Sequence, residues 1–505
     1  MEFLGRTEIY TDVGIITKDN VSDVVRNAMI THEKNAAEIE FLLNYEAGIQ
    51  PIARKKSYRP DIDCKCVDNV ANEIAEFKQS FNWGNPITFV MKKKADNKEN
   101  QTLNGVSEIN ECYEMQDYSS KQQALARFVE ICGVGYTYVD INTDYEDGES
   151  PFTIDVLDPR CAFVIKSSTH PDKRAILGVT YYCDKDGIKR YTCFSKDSRY
   201  ELNNLYEHME KSGEKNPLEK IPITEWVRAH DRMGCFERQI SELDNLNLLV
   251  SDFTNDVEQN TQAIWHTNDV DFPTEKIKQE DGTEKEVVVR PKGNDWMQTY
   301  TSQDGKTPFV EPLSINYDYT GMLNNIMSRR ALILQKCNVP SRNDNSGGST
   351  GVAMSDATGW SQAETEANRQ DQIKEACKMN ELKVVLMAIK RCPKLSQNSP
   401  LRTLRPYDLQ VSIKRQKTYE LTTKVNGICA LLAKGFALED ALTTVPLFDD
   451  PNQVVARSGE GVAKYQASQV FKIENNTSDK NEKRPFPDYS DQITNSPVID
   501  GMERN

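Results

Sequence analysis

The sequence lacks the ligands and loops that most metal-dependent and nucleotide-hydrolysing enzymes use. Its 505 residues contain only five histidines, which lie far apart along the chain. Among the twelve cysteines only Cys64 and Cys66 are close together, and no C-x-x-C spacing occurs, so no local zinc site can be assembled. A phosphate-binding G-x-x-x-x-G-K-S/T loop is absent as well. We therefore predict a protein that is not an enzyme and that uses no metal and no cofactor.

Long apolar stretches are also missing from the sequence. No run approaches the ~18 apolar residues of a membrane-spanning helix, and residues 1–6 have no apolar signal-peptide core. With 38% hydrophobic and 28% charged residues, the chain is long enough for roughly two to four domains with a real core. The scattered cysteines are typical of reduced, mostly buried side chains in an intracellular protein without membrane contact.

The charge is unevenly distributed. A formal net charge of −15 argues against a tight nucleic-acid-binding protein, because such proteins are basic. An ordinary solvated acidic surface is the simpler explanation of this charge. Basic residues nevertheless cluster at Arg329, Arg330, Lys336 and Arg342. The favoured interpretation is a solvated face or ion pairs between subunits, and the alternative is weak phosphate contact inside a channel.

The first 235 residues predict an α+β region. Apolar residues at three- and four-residue spacing predict helices at 20–46, 64–83 and 121–132. Strands are predicted at 136–141 and, as a hairpin around the turn 184–187, at 179–183 and 190–194. The polar residues 91–120 are expected to form a mobile excursion, and residues 210–222 a linker or surface loop.

Two long helices enclose a β-type insert in the middle of the chain. Apolar residues step by three or four from Phe236 to Ile264, which predicts a helix of ~43 Å at 1.5 Å per residue. A second helix is predicted over 319–338. The insert 266–313 lies between them and contains a predicted strand at 287–289.

A polar, glycine-rich loop at 341–351 follows the second helix. A flexible polar loop between long helices suits a moving polymer better than a small substrate. Ser361 and Glu364 then match a capping box, which predicts a helix running to about Arg391. A final helical unit is predicted over 419–445, and the polar tail 467–505 is expected to become ordered only against a partner, if at all.

One catalytic alternative comes from Gly347-Gly348-Ser349-Thr350-Gly351, which fits the G-x-S-x-G motif of hydrolases. In hydrolases the motif follows a buried strand and immediately precedes a helix. Here the predicted element before it is a helix that ends at Pro340, and the polar residues 341–346 follow. A chance match is therefore favoured, and a serine hydrolase built on Ser349 is the weaker alternative.

Six short stretches occur in an order that is typical of one known family. They are Asp68-Asn69 through Gly84-Asn85-Pro86-Ile87, Gly133-Val134-Gly135-Tyr136-Thr137-Tyr138, Leu157-Asp158-Pro159, Ile221-Pro222 through Gly234-Cys235-Phe236-Glu237, Thr350-Gly351-Val352-Ala353-Met354, and Leu431-Leu432-Ala433-Lys434-Gly435 through Pro446-Leu447-Phe448-Asp449-Asp450. In this order the chain resembles the portal proteins of tailed bacteriophages, in the branch typical of phages of Gram-positive hosts. The resemblance covers about residues 20–455. The polar insertion Asn343-Asp344-Asn345 and the tail beyond residue 466 depart from it.

The resemblance implies an α+β, mainly helical subunit that assembles as a ring of about twelve copies at one capsid vertex of the virion. Its parts would be the wing (1–235), a stem helix (236–265), a small α/β clip (266–313), a second stem helix (314–340), a tunnel loop (341–360), a long wing helix (361–392), a helical crown (393–466) and a polar C-terminal tail (467–505). The ring would be assembled in the cytoplasm of the host bacterium. It would conduct double-stranded DNA during packaging and ejection.

The resemblance also implies partners and site residues. The clip would dock the terminase large subunit and later the head-completion or adaptor protein, while major capsid and scaffolding proteins surround the ring. The clip residues predicted to dock partners are Trp296, Tyr300 and Phe309. DNA would be faced by the tunnel-loop residues Arg342, Asn343, Asn345, Ser346, Gly347, Gly348, Ser349 and Thr350, and by the basic stem residues Arg329, Arg330 and Lys336.

Another structural ring of a virion, such as a connector, is the main alternative. It shares the ring but should lack the order stem, insert, stem and loop, and it should be much shorter. The acidic composition suits a portal, because twelve copies at −15 each carry about −180 and repel a duplex with one charge per ~1.7 Å. The duplex can slide through the ring only if it binds weakly. A few cations and a loop jointed by glycines would give it transient contact.

Overall fold

The computed structural model describes residues 5–53, 62–92, 99–146, 148–261, 264–268, 274–278, 284–288, 309–313, 318–341, 359–413, 415, 421–445, 447–448, 454–455, 458 and 461. The chain divides into two units, Met1–Gln416 and Lys417–Asn505. Each unit is considered by itself.

The described elements alternate between helix and strand in the first half of the chain and are mainly helical in the second. The α-helices are α1 (Val21–Glu46), α2 (Val70–Trp83), α3 (Glu99–Glu114), α4 (Tyr118–Cys132), α5 (Ile240–Thr261), α6 (Tyr319–Lys336), α7 (Trp360–Arg391), α8 (Pro400–Thr403), α9 (Leu421–Ala433) and α10 (Leu438–Thr444). The strands are β1 (Ile9–Thr11), β2 (Thr88–Met91), β3 (Val134–Ile141), β4 (Phe152–Leu157), β5 (Ala162–Ser167), β6 (Ala175–Cys183), β7 (Lys189–Phe194), β8 (Ser198–Leu202), β9 (Glu214–Lys215), β10 (Ile223–Val227), β11 (Ile264–Asn268), β12 (Thr274–Lys278), β13 (Glu284–Val288), β14 (Phe309–Leu313) and β15 (Leu409–Ser412).

A six-stranded sheet in the order β1-β5-β6-β7-β8-β9 organises the first unit. Only the β1–β5 pair in it is parallel, and a second sheet, β10-β3-β4, is antiparallel. The predicted hairpin is confirmed, since β6 and β7 pair antiparallel with Tyr182 opposite Arg190. Gly187 supplies the left-handed turn residue with φ +75°, which a glycine adopts without strain.

Two apolar clusters fill the first unit and explain the helical periodicities. One joins α1, α2, the six-stranded sheet, α5 and α6, with Val25, Leu42 and Phe163 almost inaccessible to solvent. The other joins α3, α4 and α7, with Ile109 and Val385 at its centre. Each amphipathic helix is therefore stabilised by burial of its apolar stripe.

The predicted mobile excursion over 91–120 is wrong. Most of this segment is α3, on which Val106, Ile109 and Cys112 are buried. The backbone N–H of Phe89 donates to the side chain of Asn110, whose amide donates back to the Phe89 carbonyl. A largely polar helix is stable here because one narrow apolar stripe packs into the core and one side chain ties it to β2.

Three predicted boundaries also change. The second helix begins at Val70 instead of Cys64, and the Asn69 side chain accepts from the Asn72 N–H at its start. The predicted capping box is wrong, because α7 begins at Trp360 after a left-handed Gly359 and no side chain caps its first turn. Residues 210–222 are more than a linker, since they contain the edge strand β9 and the buried Leu218.

The helix predicted from Phe236 to Ile264 is shorter, because α5 spans Ile240–Thr261 and Ile264 already begins β11. The other predicted helices agree in outline with the described elements. In the second unit α9 and α10 pack through Ile428, Ala441 and Leu442, as the helical pattern over 419–445 predicts. The fold is mixed helix and sheet, 47% helical and 19% strand, in agreement with the α+β prediction. All twelve cysteines are free thiols, six of them buried. Over the described residues, no helix combines the length and apolar character needed to cross a membrane.

Candidate functional site

The helices α5 and α6, which are the predicted stem helices, pack against each other and bracket the β-insert. The chain leaves α5 through β11 and returns to α6 through β14, and these two strands pair antiparallel with Ile264 opposite Leu313. A separate antiparallel pair, β12 and β13, lies between them in sequence. The rings of Phe253 and Tyr319, 6.0 Å apart, join the far end of α5 to the start of α6. The predicted order of helix, strands and helix is thus confirmed.

Three large apolar side chains of α6 are exposed. Ile326 and Ile333 point into the core, whereas Leu323, Met327 and Leu332 are 48%, 60% and 52% exposed. Leu323 and Met327 are four residues apart and therefore lie one above the other on the helix surface, whereas Leu332, nine residues after Leu323, lies on the opposite side of the helix. The pair Leu323 and Met327 is therefore apolar surface that a further partner can bury.

The basic stem residues all have acidic neighbours within the chain. The guanidinium of Arg330 bonds Asp68 at 2.6 Å and also Glu73, so it joins α6 to α2. Lys336 Nζ lies 3.1 Å from Glu242 on α5, and Arg329 lies 3.9 Å from the same carboxylate. The side chains of Arg329 and Lys336 are 46% and 47% exposed, so they are more accessible to solvent than Arg330, which is 31% exposed.

The polar face of α5 binds a neighbouring segment of the chain. Asn247, Ser251 and Asn255 are buried although they are polar, and they recur every four residues. Their side chains accept from the backbone N–H groups of Asp68, Cys66 and Cys64 at 2.9, 3.0 and 2.8 Å. Asn255 and Ser251 also donate to the carbonyls of Cys64 and Cys66. These hydrogen bonds supply partners for backbone N–H and C=O groups of residues 64–68, which belong to none of the described helices or strands.

A buried ion cluster surrounds Glu366 near the start of α7. We call it the Glu366 cluster, and it consists of Lys78, Arg228, Asn338, Glu366 and Gln370. Lys78 and Arg228 bond the two carboxylate oxygens of Glu366 at 2.5 and 2.6 Å. The side-chain amides of Asn338 and Gln370 donate to the same oxygens at 3.0 and 3.1 Å. Burial alone would raise the pKa of Glu366, but Lys78 and Arg228 hold it below its ordinary value.

The cluster continues into the core through Arg228. Its Nε bonds the fully buried Glu130 at 3.0 Å, and Glu130 also accepts from the Trp83 indole at 2.9 Å. Burial opposes the charge of Glu130, yet Arg228 and Lys374 keep its pKa below the ordinary value. Burial lowers the pKa of Lys374 to about 8. A connected set of charges of both signs can persist in a core only because each member has a partner.

The Glu366 cluster lies at the two ends of the predicted tunnel loop. Asn338, two residues after α6, has a left-handed conformation with φ +51°, and Gly359, just before α7, has φ +88°. A Cβ atom built on Gly359 would lie 3.8 Å from Pro340 Cα, so the two chain ends are neighbours in space. The tunnel-loop residues themselves lie outside the described residues, from Arg342 through Thr350.

Few of the predicted clip residues are described. Trp296 and Tyr300 lie outside the described residues, whereas Phe309 begins β14, is 38% exposed and stacks edge-on against His266 at 4.9 Å. Ser349, the hydrolase alternative, also lies outside them. Across the described ranges no group of three or more His, Cys, Asp or Glu side chains could hold a metal ion.

The sequence contained a signal for part of the cluster. Glu366, Gln370, Lys374 and Lys378 recur every four residues on α7, and all four point inward. Buried charges at helical spacing indicate a paired network, because isolated charges are excluded from a core. Their partners, such as Lys78 and Arg228, lie about 140 to 290 residues away, so no local pattern could identify them.

Comparisons with known proteins identify the family. A solved chain from the virion of a native gene transfer agent particle is similar, with 11% identity, a TM-score of 0.41, and coverage of 82% of this chain and 94% of that chain. No curated protein matches the sequence. The model of the family described as phage portal protein, SPP1 Gp6-like, matches residues 30–468. Because this match spans most of the sequence, the chain belongs to the SPP1 Gp6-like family of phage portal proteins.

Proposed function

We propose that this protein forms a ring of about twelve copies at one vertex of a phage capsid. The observation that carries the proposal is the pair of stem helices around a β-insert, in a chain that matches the portal family over residues 30–468. That family is structural and not enzymatic. The ring would therefore act by letting DNA pass and by binding other proteins. A separate terminase would hydrolyse ATP.

A neighbouring copy of the chain is the surface we propose to cover α6. Leu323 and Met327 form an exposed apolar pair on one side of α6, which such a neighbour would bury. The matching apolar residues on the neighbour would be Val257, which is 41% exposed, and the half-buried Phe253 of α5. A head-to-tail contact of this kind uses two different faces, and it closes into a ring when its rotation angle permits.

Each subunit of the proposed ring would have four main parts. The wing would comprise residues 1–235 with the long helix 361–392, the stem 236–265 and 314–340, and the clip 266–313. Residues 393–466 are the proposed crown. Since β15 pairs with β2 of the wing, the crown proper would begin with the second unit at Lys417.

Double-stranded DNA would pass through the centre of the ring. The tunnel-loop residues 342–350 would face the duplex, and Arg329 and Lys336 are the solvent-accessible stem cations that could contact phosphates. Both already have Glu242 as a neighbour, which would weaken any phosphate contact. Weak contacts and an acidic subunit favour sliding over tight binding.

The clip would dock the proteins that act on the portal vertex. The terminase large subunit would bind during packaging and a head-completion or adaptor protein afterwards, at a surface that includes Trp296, Tyr300 and Phe309. The two-stranded β-pairs of the insert are too small for an independent domain, which favours pairing with the insert of a neighbour. Major capsid and scaffolding proteins would contact the outer wing.

Negative-stain imaging of the purified protein tests the ring. We expect annular particles with a central hole. If the protein stayed a single subunit under every assembly condition, the proposal would be wrong.

Deleting residues 343–350 tests the proposed DNA path. We expect rings of normal size but a loss of DNA packaging or DNA retention in reconstituted capsids. A deletion of equal length in the polar tail, residues 484–491, serves as the control. Failure of the first variant to form rings would contradict the assignment of this segment to the channel.

A further inference from the structure

We propose that the Glu366 cluster is the anchor that fixes both ends of the 342–358 segment at one point of the wing. Glu366 and Asn338 are then positioning residues: they would act on DNA passage through the segment whose ends they hold. The inference rests on the proposed function only for this consequence, since the anchor itself is a property of the described residues.

The two ends meet through one carboxylate. Asn338 lies two residues after α6 and Glu366 lies six residues inside α7, yet their side chains bond at 3.0 Å. Lys78 strengthens this link, because its Nζ bonds Glu366 at 2.5 Å and contacts the Asn338 carbonyl at 3.4 Å. One lysine of α2 therefore holds the last residues before the segment and the first helix after it.

The backbone at both ends supports the same interpretation. Asn338 adopts a left-handed conformation, which asparagine tolerates better than most residues, and it turns the chain out of α6. Val339 and Pro340 are then buried, so the chain is held in the protein before the segment begins. Gly359 turns the chain into α7 beside Pro340.

Fixed ends have a mechanical consequence. A segment of chain transmits force to the rest of the protein only through its two ends, and α2, α4 and the residue after β10 hold those ends through Lys78, Glu130 and Arg228. A charged centre suits this task better than apolar contacts, because hydrogen-bonded ion pairs hold defined directions. The alternative is that the cluster only stabilises the fold.

Hydrogen exchange measured by mass spectrometry on the assembled protein separates these two roles. Asn338→Gly removes the side-chain link while a glycine keeps the left-handed turn without strain. We expect exchange to become about tenfold faster at 334–341 and 359–366, with no change in α1. Glu366→Gln should act on the same two regions more strongly, since it leaves Lys78 and Arg228 with less negative charge.

The matched control is Glu375→Gln, the same substitution at an exposed position of the same helix. It should leave exchange at both ends unchanged. Glu366→Gln leaves the Lys78 ammonium without its carboxylate, and a buried cation without a counter-ion is costly. The double variant Lys78→Gln/Glu366→Gln removes that cation, so its exchange should be slower than that of Glu366→Gln alone. If all variants exchange like the unmodified protein at 334–341 and 359–366, or if exchange rises equally in α1, the anchor is refuted.

Packaging measured on the same variants distinguishes the anchor from the proposed function. Faster exchange at both ends together with lost DNA retention supports both. If exchange becomes faster while packaging stays normal, the anchor exists but the segment has no role in DNA passage. If packaging is lost without a change in exchange, the anchor is overturned and the channel assignment stands.

Discussion

The pair Lys378 and Glu381 offers the sharpest test of how charges are stabilised in this core. Both side chains are fully buried on α7, and Lys378 Nζ bonds Glu381 at 2.6 Å. Glu381 also accepts from the hydroxyls of Tyr113, Tyr118 and Thr137 at 3.3, 3.4 and 3.0 Å. Burial lowers the pKa of Lys378, and Glu381 opposes that shift. One carboxylate and the nearby aromatic faces therefore offset part of the cost of burying the Lys378 ammonium.

Removing either partner should cost several kcal/mol at pH 7. In Glu381→Gln the lysine must lose its proton to stay buried, which costs at most about 4.6 kcal/mol at pH 7 from an ordinary lysine. In Lys378→Met the carboxyl must gain a proton, which costs at most about 3.7 kcal/mol from an ordinary glutamate. Broken buried pairs cost about 3–5 kcal/mol, so we expect losses of about 3–4 kcal/mol for each variant.

The two variants should respond to pH in opposite directions. Folding of Lys378→Met binds a proton, so its loss of stability shrinks as the pH falls from 7 towards 5. Folding of Glu381→Gln releases a proton, so its loss shrinks as the pH rises from 7 towards 9. Each should change by about 1.4 kcal/mol per pH unit, relative to the unmodified protein.

Urea unfolding at pH 5, 7 and 9 measures these losses, with tryptophan fluorescence as the probe. Trp83 and Trp226 belong to the same apolar cluster as the tyrosines, so their emission reports on this region. Protein concentration is held constant because assembly would shift the midpoint. Lys383→Met, at an exposed position of α7, is the control. If both variants followed the same pH trend, the pair would not be a buried ion pair.

Two further outcomes follow from buried groups elsewhere in the first unit. Burial lowers the pKa of His32 to about 4, so the free energy of unfolding should fall by about 3 kcal/mol as the pH drops from 6.5 to 4, and His32→Gln should abolish this fall in urea titrations. Gly133 and Gly187 both have positive φ, but only at Gly133 would a Cβ atom collide, 2.3 Å from the Arg232 carbonyl oxygen. Thermal melting should therefore show a loss above about 3 kcal/mol for Gly133→Ala and of about 1 kcal/mol for Gly187→Ala. Equal losses would contradict the collision.

Helices with strong apolar periodicity could be predicted from the sequence, and α3 could not. α1, α5 and α6 carry enough regularly spaced apolar residues for the pattern to predict them directly. α3 buries only a narrow stripe that includes Val106 and Ile109, within a segment that is otherwise polar. Its stability comes from tertiary packing, which a local pattern does not contain.

The order of the helices and strands at the candidate site could be predicted from the sequence, whereas the contacts of their side chains could not. The arrangement of stem, insert and stem follows from periodicity, because each element is local. The roles of the polar residues do not, since they depend on distant partners. Ser251 and Asn255 are polar, yet both are buried and bond the backbone of Cys66 and Cys64. Arg330 suggested a channel cation, yet it bonds Asp68 and Glu73.

These distant contacts converge on one element, α2. Glu73 in its first turn bonds Arg330 of the second stem helix, and Lys78 in its middle bonds Glu366 of α7. Trp83 at its end donates to Glu130 of α4. Because ion pairs and hydrogen bonds fix direction as well as distance, a displacement of α6 must be shared by α2 and its other partners. The short helix Val70–Trp83 thus links α6, α7 and α4 to one another.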